Sequence, residues 1–120
     1  MAQYEEFTID QGTDVAIEIH LVDESGNTKD LTNHTVLAQL RKNYSSTSAT
    51  SFNSIIATPP TDGIATLSLT NTNTSLLEKG RYVYDVELSF LDSNNDTIIE
   101  RILEGRIQVT PNVTKPVLGG

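Results

Sequence analysis

Apolar and polar residues alternate along most of the chain, which is the pattern of β-strands that bury one face. In the segment from 81 to 91, five apolar or aromatic residues share one parity: Tyr82, Tyr84, Val86, Leu88 and Phe90. In the segment from 13 to 23, four residues do so: Val15, Ile17, Ile19 and Leu21. Shorter alternations bring the number of predicted strands to about seven. They lie near 4–9, 36–41, 52–56, 65–69 and 97–110.

Short strands separated by turn residues are typical of a β-sandwich, so the sequence predicts an all-β, antiparallel, immunoglobulin-like fold. We expect at most one short helical turn, near residues 71–77, because Asn and Thr stand there in capping positions. The sandwich domain is predicted to span 7–111. Residues 1–6 and 112–120 show no periodicity and are predicted to be an N-terminal and a C-terminal arm.

The last predicted strand, 97–110, does not keep a single parity. Ile99 shares its parity with the later apolar residues of the strand, whereas Ile98 and Ile102 have the opposite parity. Gly105 stands in the middle of the strand, where a glycine often marks a bulge or a close approach of another backbone. We therefore expect a β-bulge or a change of face near Gly105, with Ile98 and Ile102 pointing outward.

The strand from 81 to 91 begins with the arrangement of a tyrosine corner, in the run Leu77-Glu78-Lys79-Gly80-Arg81-Tyr82. In immunoglobulin-like sandwiches, a tyrosine near the start of strand F forms a hydrogen bond to the backbone a few residues upstream. The sequence therefore predicts that Tyr82 holds this connection in place. Tyr84 stands where antibody domains place the second disulfide cysteine, so packing must replace the disulfide here.

The chain has 120 residues, 16 acidic and eight basic side chains, a formal charge of −8 and no cysteine. The absence of cysteine excludes a disulfide framework, a thiolate metal site and a cysteine nucleophile. The excess of acid argues against nucleic-acid binding, which needs clustered Lys and Arg. Apolar runs are far too short to cross a membrane, and the acidic N-terminus opens no hydrophobic segment, so we expect no signal peptide.

No catalytic motif is present: the sequence lacks a nucleophile elbow, a phosphate loop and a dinucleotide fingerprint. His20 lies on the outward face of a predicted strand and His34 lies in a turn, and neither is followed by metal-ligand spacing. Neighbouring carboxylates such as Asp85 and Glu87 are typical of a solvated strand face. We therefore predict that the protein is not an enzyme and has no cofactor.

The segment 92–96 begins like a calcium loop, because Asp92, Asn94 and Asp96 alternate. The sixth position is Thr97 instead of Gly, and the twelfth is Leu103 instead of a bidentate Glu. A polar hairpin loop is the first interpretation of 92–96, and a weak cation site is the alternative.

With no catalytic motif, the remaining candidate for function is the protein surface. Several apolar residues are predicted to point outward, and together they define a candidate protein–protein interface if they are contiguous. They are Leu37, Val83, Leu91, Ile98 and Ile102.

Six segments, taken in order, also carry a resemblance to a known family. They are Asp30-Leu31-Thr32, Thr35 to Lys42, Leu67 to Thr70, Gly80 to Glu87, Leu103-Glu104-Gly105 and Val109-Thr110-Pro111. This series of strand and turn motifs resembles small immunoglobulin-like structural proteins of tailed bacteriophages. It is similar in style to the N-terminal module of phage upper baseplate proteins.

The resemblance implies a virion component that is assembled in the host bacterial cytoplasm, in the tail, baseplate or neck or as a capsid decoration. It implies other virion proteins as partners and a symmetric multi-copy assembly or homo-oligomer, with no nucleic acid and no membrane. The alternative is a carbohydrate-binding sandwich for adsorption to the host surface. Such sites usually present exposed aromatic rings, and only Tyr4 and Tyr44 are expected outside the core.

Overall fold

The computed structural model describes residues 2–114 and contains two β-sheets. The strands are β1 (Gln3–Asp10), β2 (Val15–His20), β3 (Thr35–Arg41), β4 (Thr50–Ser51), β5 (Asn53–Ile56), β6 (Ile64–Leu69), β7 (Gly80–Leu91) and β8 (Thr97–Thr110). Five strands form one sheet in the order β1-β8-β7-β3-β4. The other three form a second sheet in the order β2-β6-β5.

This strand order is that of an immunoglobulin-like sandwich. β7 lies between β3 and β8 as strand F lies between C and G, and β6 lies between β2 and β5 as strand E lies between B and D. Neighbouring strands are antiparallel except β1 and β8, which run parallel. The predicted fold class is confirmed.

Two short helical turns connect the strands. Helix α1 (Asn71–Ser75) lies within the predicted range and is capped by Thr70. The Thr70 side chain accepts a hydrogen bond from the Asn73 amide at 3.2 Å, and the Asn73 side chain accepts one from the Thr70 amide at 3.2 Å. A single 3-10 turn, Pro60–Asp62, connects β5 to β6.

The two sheets enclose one core because the inner parity of their strands is apolar. The largest side chains that are fully removed from solvent are Ile9, Leu31, Leu40, Leu67, Leu88 and Ile107. Apart from the tyrosines, Thr74 is the one buried polar side chain among the described residues, and its hydroxyl donates to the Thr13 carbonyl oxygen at 2.8 Å. A buried hydroxyl needs such a partner, so Thr74 ties α1 to the turn before β2.

β8 contains a bulge, but at Ile102 and not at Gly105. Val86 pairs with Leu103 and the next residue of β7, Glu87, pairs with Arg101, so Ile102 is the extra residue. The bulge reverses the parity of the first part of β8. Ile98 is therefore half-buried on the inner side, and Ile102 packs against the core. This corrects the predicted outward orientation of both residues.

Gly105 serves a close approach of three strands. It lies between Tyr84 of β7 and Glu5 of β1 in one row across the sheet. A Cβ atom at Gly105 would overlap the carbonyl oxygen of Glu5. Because no side chain stands there, the Tyr84 side chain crosses β8, and its hydroxyl donates to the Glu5 carbonyl oxygen at 2.8 Å. The Tyr84 ring also contacts the Phe7 ring, with centroids 5.6 Å apart.

The hydroxyl of Tyr84 should make the stability of the fold depend on pH above about 10. Burial, and then the carboxylate of Glu5, raises the pKa of Tyr84 above its usual value of 10.0. The neutral hydroxyl therefore contributes stability that is fully present below pH 10 and is lost as the pH rises further. We expect Tyr84→Phe to lower the free energy of unfolding by about 1 kcal/mol at neutral pH.

Urea unfolding of the two proteins between about pH 8 and pH 11 measures this effect. The difference between wild-type and Tyr84→Phe should narrow as the pH rises above 10, because the unfolded tyrosine ionises first. A difference that stays constant over the whole range would show that Tyr84 is not held neutral by the fold.

The N-terminal segment differs from its prediction. Residues 3–6, expected to belong to an arm, form the first half of β1 and pair with β8, starting with Gln3 opposite Leu103. The sequence predicts a strand near 4–9, but the first two residues on its inward parity, Gln3 and Glu5, are polar, so it also assigns residues 1–6 to an arm. For the predicted C-terminal arm, residues 112–114 follow β8 without regular structure, and 115–120 lie outside the described residues.

Tyr82 is buried at the start of β7 and makes two hydrogen bonds to one residue. Its hydroxyl donates to the Glu78 carbonyl oxygen at 3.1 Å and accepts from the Glu78 amide at 2.9 Å. The Lys42 ammonium lies 4.8 Å from the centre of the Tyr82 ring. This is the geometry of a tyrosine corner, and it fixes the connection between α1 and β7.

Candidate interaction surface

The outer face of the five-stranded sheet is formed by the side chains that alternate with the core residues of β1, β3, β7 and β8. All four arginines of the chain lie on it. Arg41 is opposite Val83, Val83 is opposite Arg106, and Arg81 is opposite Gln108. Arg101 belongs to the same face because the bulge at Ile102 turns it outward, opposite Glu87.

Both exposed tyrosines also lie at this outer face. Tyr4 is 55% exposed on β1, and Tyr44, in the loop after β3, is 83% exposed. Tyr44 lines a depression of about 270 Å³ together with Gln39, Arg41 and Val83. Tyr and Arg are the residues that contribute most often to binding energy in protein interfaces.

The hydroxyl of Tyr4 is coupled to a neighbouring acid. It donates to a carboxylate oxygen of Glu6 at 3.1 Å. Partial loss of solvent, followed by this carboxylate, raises the pKa of Tyr4. Tyr4 therefore stays a neutral hydrogen-bond donor on the outer face.

The charges of the outer face are separated into two halves. The arginine half holds Arg41, Arg81 and Arg106 with one carboxylate, Glu6. The carboxylate half holds Asp85, Glu87 and Glu104 with one arginine, Arg101. One further carboxylate, Asp10, lies at the rim and accepts a hydrogen bond from the Thr110 hydroxyl at 2.6 Å.

Arg101 holds two carboxylates that would otherwise repel each other. Asp85 and Glu104 are directly opposite in the pairing of β7 with β8. Arg101 Nε lies 3.3 Å from an oxygen of Asp85, and its Nη1 lies 3.9 Å from an oxygen of Glu104. The arginine is about half exposed, so the pairs contribute little to folding stability and leave the guanidinium open to a partner.

Of the five apolar residues predicted for an interface, the structure brings three to the outer face. Leu37 is 58% exposed, Leu91 is 62% exposed, and Val83 is half-buried between two arginines. Ile98 and Ile102 are on the inner side, as described above. Ile99, which the parity of β8 had placed inside, is 62% exposed and lies diagonally from Leu91.

The outer face of the three-stranded sheet is different in kind. Its outward positions on β2, β5 and β6 hold no arginine, tyrosine or phenylalanine. They are Ala16, Glu18, His20, Asn53, Ile55, Ile64, Thr66 and Ser68. The residues that favour protein contacts are thus concentrated on one side of the sandwich.

The two histidines lie at different places in the fold and have different neighbours. His20 is exposed and its Nε2 lies 2.6 Å from Glu18 on the same strand face. The His34 ring stacks on Phe90 with centroids 4.6 Å apart. Within residues 2–114, no three His, Cys, Asp or Glu side chains come together in a group that would hold a metal ion.

The loop 92–96 is a hairpin loop whose first carboxylate is already in use. An oxygen of Asp92 accepts hydrogen bonds from the amides of Asn94 at 2.8 Å and Asp96 at 2.9 Å. Asn95 takes a left-handed backbone conformation, with φ of 63°. The loop Asp23–Asn27 repeats this arrangement, with Gly26 in the left-handed position. Both loops are therefore closed by their own backbone amides.

Likeness to known proteins is found among solved structures. No protein-family model matches the chain, and no curated protein matches it. Sixty-one chains of solved structures match. One is AggA, the major subunit of aggregative adherence fimbriae type I from Escherichia coli, at 13% identity and a TM-score of 0.44. The match covers 88% of this chain and 89% of that one.

None of these comparisons shows a phage origin or a catalytic activity. Among residues 2–114, no helix is long and apolar enough to span a membrane.

Proposed function

We propose that this protein is a non-enzymatic structural subunit that works in many copies and binds its neighbours through the outer face of the five-stranded sheet. The observation that carries the proposal is that all four arginines and both exposed tyrosines lie on this face. In the finer form implied by the resemblance, the neighbours are other proteins of a tailed-phage virion, in the tail, baseplate, neck or capsid.

The scaffold suits such a role because it holds the face rigid. β7 lies at the centre of the five-stranded sheet, and its inner side chains are buried to 8% exposure or less from Tyr82 to Leu88. Outward side chains on such strands keep their positions before a partner arrives. Less conformational entropy is then lost on binding.

A matched pair of substitutions tests the proposal. Leu37 and Ile55 are each 58% exposed on a strand, but on opposite sides of the sandwich. Leu37→Glu places a charge on the proposed contact face, so its incorporation into particles should fall by about tenfold or more, as for loss of one interface contact. Ile55→Glu should be incorporated like wild-type.

Each variant is co-expressed with wild-type and the particles are purified. Quantitative mass spectrometry then measures the ratio of variant to wild-type protein in the particles. The unfolding midpoint of each variant in urea shows that both are folded. Equal incorporation of the two variants, or a greater loss with Ile55→Glu, would contradict the use of the outer face.

The alternative of carbohydrate binding has one observation in its favour. Tyr44 presents an exposed ring beside the side chains of Gln39 and Asp85, which offer hydrogen bonds. Binding on a glycan array that Tyr44→Ala abolishes would favour this function over the first.

A further inference from the structure

We infer that the partner of the outer face is a second copy of this chain, packed face to face about a two-fold axis. The inference rests on the proposed function and adds the partner and the geometry. Its basis is the separation of charge within the face. With the rim carboxylate Asp10 set aside, the arginine half has three arginines and one carboxylate, a formal charge of +2, and the carboxylate half has the reverse, −2.

The order of the rows fixes how two copies fit. Glu6, Arg106, Val83 and Arg41 form one row across the sheet. The next outward row holds Tyr4, Glu104, Asp85 and Gln39. Consider a two-fold axis that lies in the plane of the contact, runs perpendicular to the strands and passes between these two rows. Rotation by 180° about this axis places the arginine half of each copy over the carboxylate half of the other. The face is therefore complementary to itself, as a two-fold interface requires.

The negative charge of the remaining surface also favours self-association through this face. The chain as a whole carries −8, so two copies repel each other in most orientations. The outer face is close to neutral, and it is the place where copies meet with the least repulsion. A strongly basic partner would instead favour the acidic surfaces elsewhere on the sandwich.

The size of the face fits a modest but specific contact. Strands about 4.8 Å apart and residues spaced about 3.3 Å along them give this face an area of about 500 Å². Two copies would bury about 1,000 Å², at the lower end of specific interfaces. Val83, between the arginines, and Leu37 and Tyr44, on the β3 side of the face, supply its apolar area. We expect a dissociation constant in the micromolar range.

Charge reversal of each half separately gives a sharp test. In an acidic-face variant, Arg81→Glu with Arg106→Glu, both halves become negative. In a basic-face variant, Glu87→Lys with Glu104→Lys, both halves become positive. Sedimentation equilibrium at about 100 µM should find wild-type as a dimer. It should find each variant alone as a monomer and an equimolar mixture of the two as a heterodimer. Ile55→Glu should dimerise like wild-type.

A second measurement does not depend on the variants. Raising the salt concentration from about 50 mM to about 500 mM should weaken the wild-type dimer by about tenfold, because the contacts are between exposed charges. A monomeric wild-type, variants that still self-associate, or a folded mixture that fails to pair would overturn the inference. Reduced incorporation of Leu37→Glu into particles would then still support the proposed function, with a different partner on the face.

Discussion

Gly105→Ala is expected to release β1 from the sheet and to lower the free energy of unfolding by about 3 kcal/mol or more. The added methyl group would overlap the Glu5 carbonyl, which is backbone and cannot move aside without breaking the pairing of β1 with β8. The same group would also stand in the path of the Tyr84 side chain toward Glu5. The cost is therefore steric and includes the lost hydrogen bond.

Gly26→Ala is the matched control, because it tests a different property of glycine. Gly26 has φ of 85°, and nothing lies within 4 Å of a Cβ built there. Its substitution should cost about 1 kcal/mol, from the left-handed backbone alone. Urea unfolding gives both values, and hydrogen exchange of the β1 amides shows whether the strand has detached. Equal costs at the two glycines, with β1 still protected, would refute the role given to Gly105.

Tyr82→Phe is expected to lower the free energy of unfolding by about 2 kcal/mol. The ring stays, but the Glu78 amide and the Glu78 carbonyl both lose their partner at a partly buried site. The substitution should act on the connection between α1 and β7, so amide exchange should rise there before it rises in the core strands.

Tyr4→Phe serves as the control for Tyr82→Phe. It removes a hydroxyl that bonds only to the exposed carboxylate of Glu6, so it should change the free energy of unfolding by less than about 0.5 kcal/mol. If the two tyrosine substitutions cost the same, the two hydrogen bonds of Tyr82 would not be the feature that holds this corner.

Much of the fold can be predicted from the sequence because parity alone decides which side chains of a half-buried strand face the core. The strand from 81 to 91 shows this best, since every even residue from Tyr82 to Leu88 is buried. The bulge at Ile102 could be expected but not located. Its position depends on which residues of β7 and β8 are paired. Gly105 marks a different feature of the same strand, the close approach of β1.

β1 shows the opposite situation. The first two residues on its inward parity, Gln3 and Glu5, are polar, so periodicity supports only the second half of the strand and assigns residues 3–6 to an arm. What fixes it is the parallel pairing with β8 and the hydroxyl of Tyr84, which comes from a residue 79 positions away in the sequence. A contact between residues so far apart in the sequence can be predicted only once the strand order is known.

The composition of the candidate surface also depends on how the strands are paired. Arg41, Arg81, Arg101 and Arg106 are scattered over three strands, and nothing in their spacing indicates one face. Leu37 and Val83 were predicted for an interface from parity. Ile99 was missed, because the bulge that turns it outward lies further along β8.

The most direct measurement of the central claim uses the fact that every arginine lies on the proposed contact face. The protein, free and in its assembled state, is treated with an arginine-selective dicarbonyl reagent, and labelling at each site is quantified by mass spectrometry. Lys29 and Lys42 lie away from the face and, with an amine-selective reagent, report general accessibility. We expect assembly to protect Arg41, Arg81 and Arg106 and to leave the two lysines reactive. Arginines labelled equally in both states would contradict the use of this face.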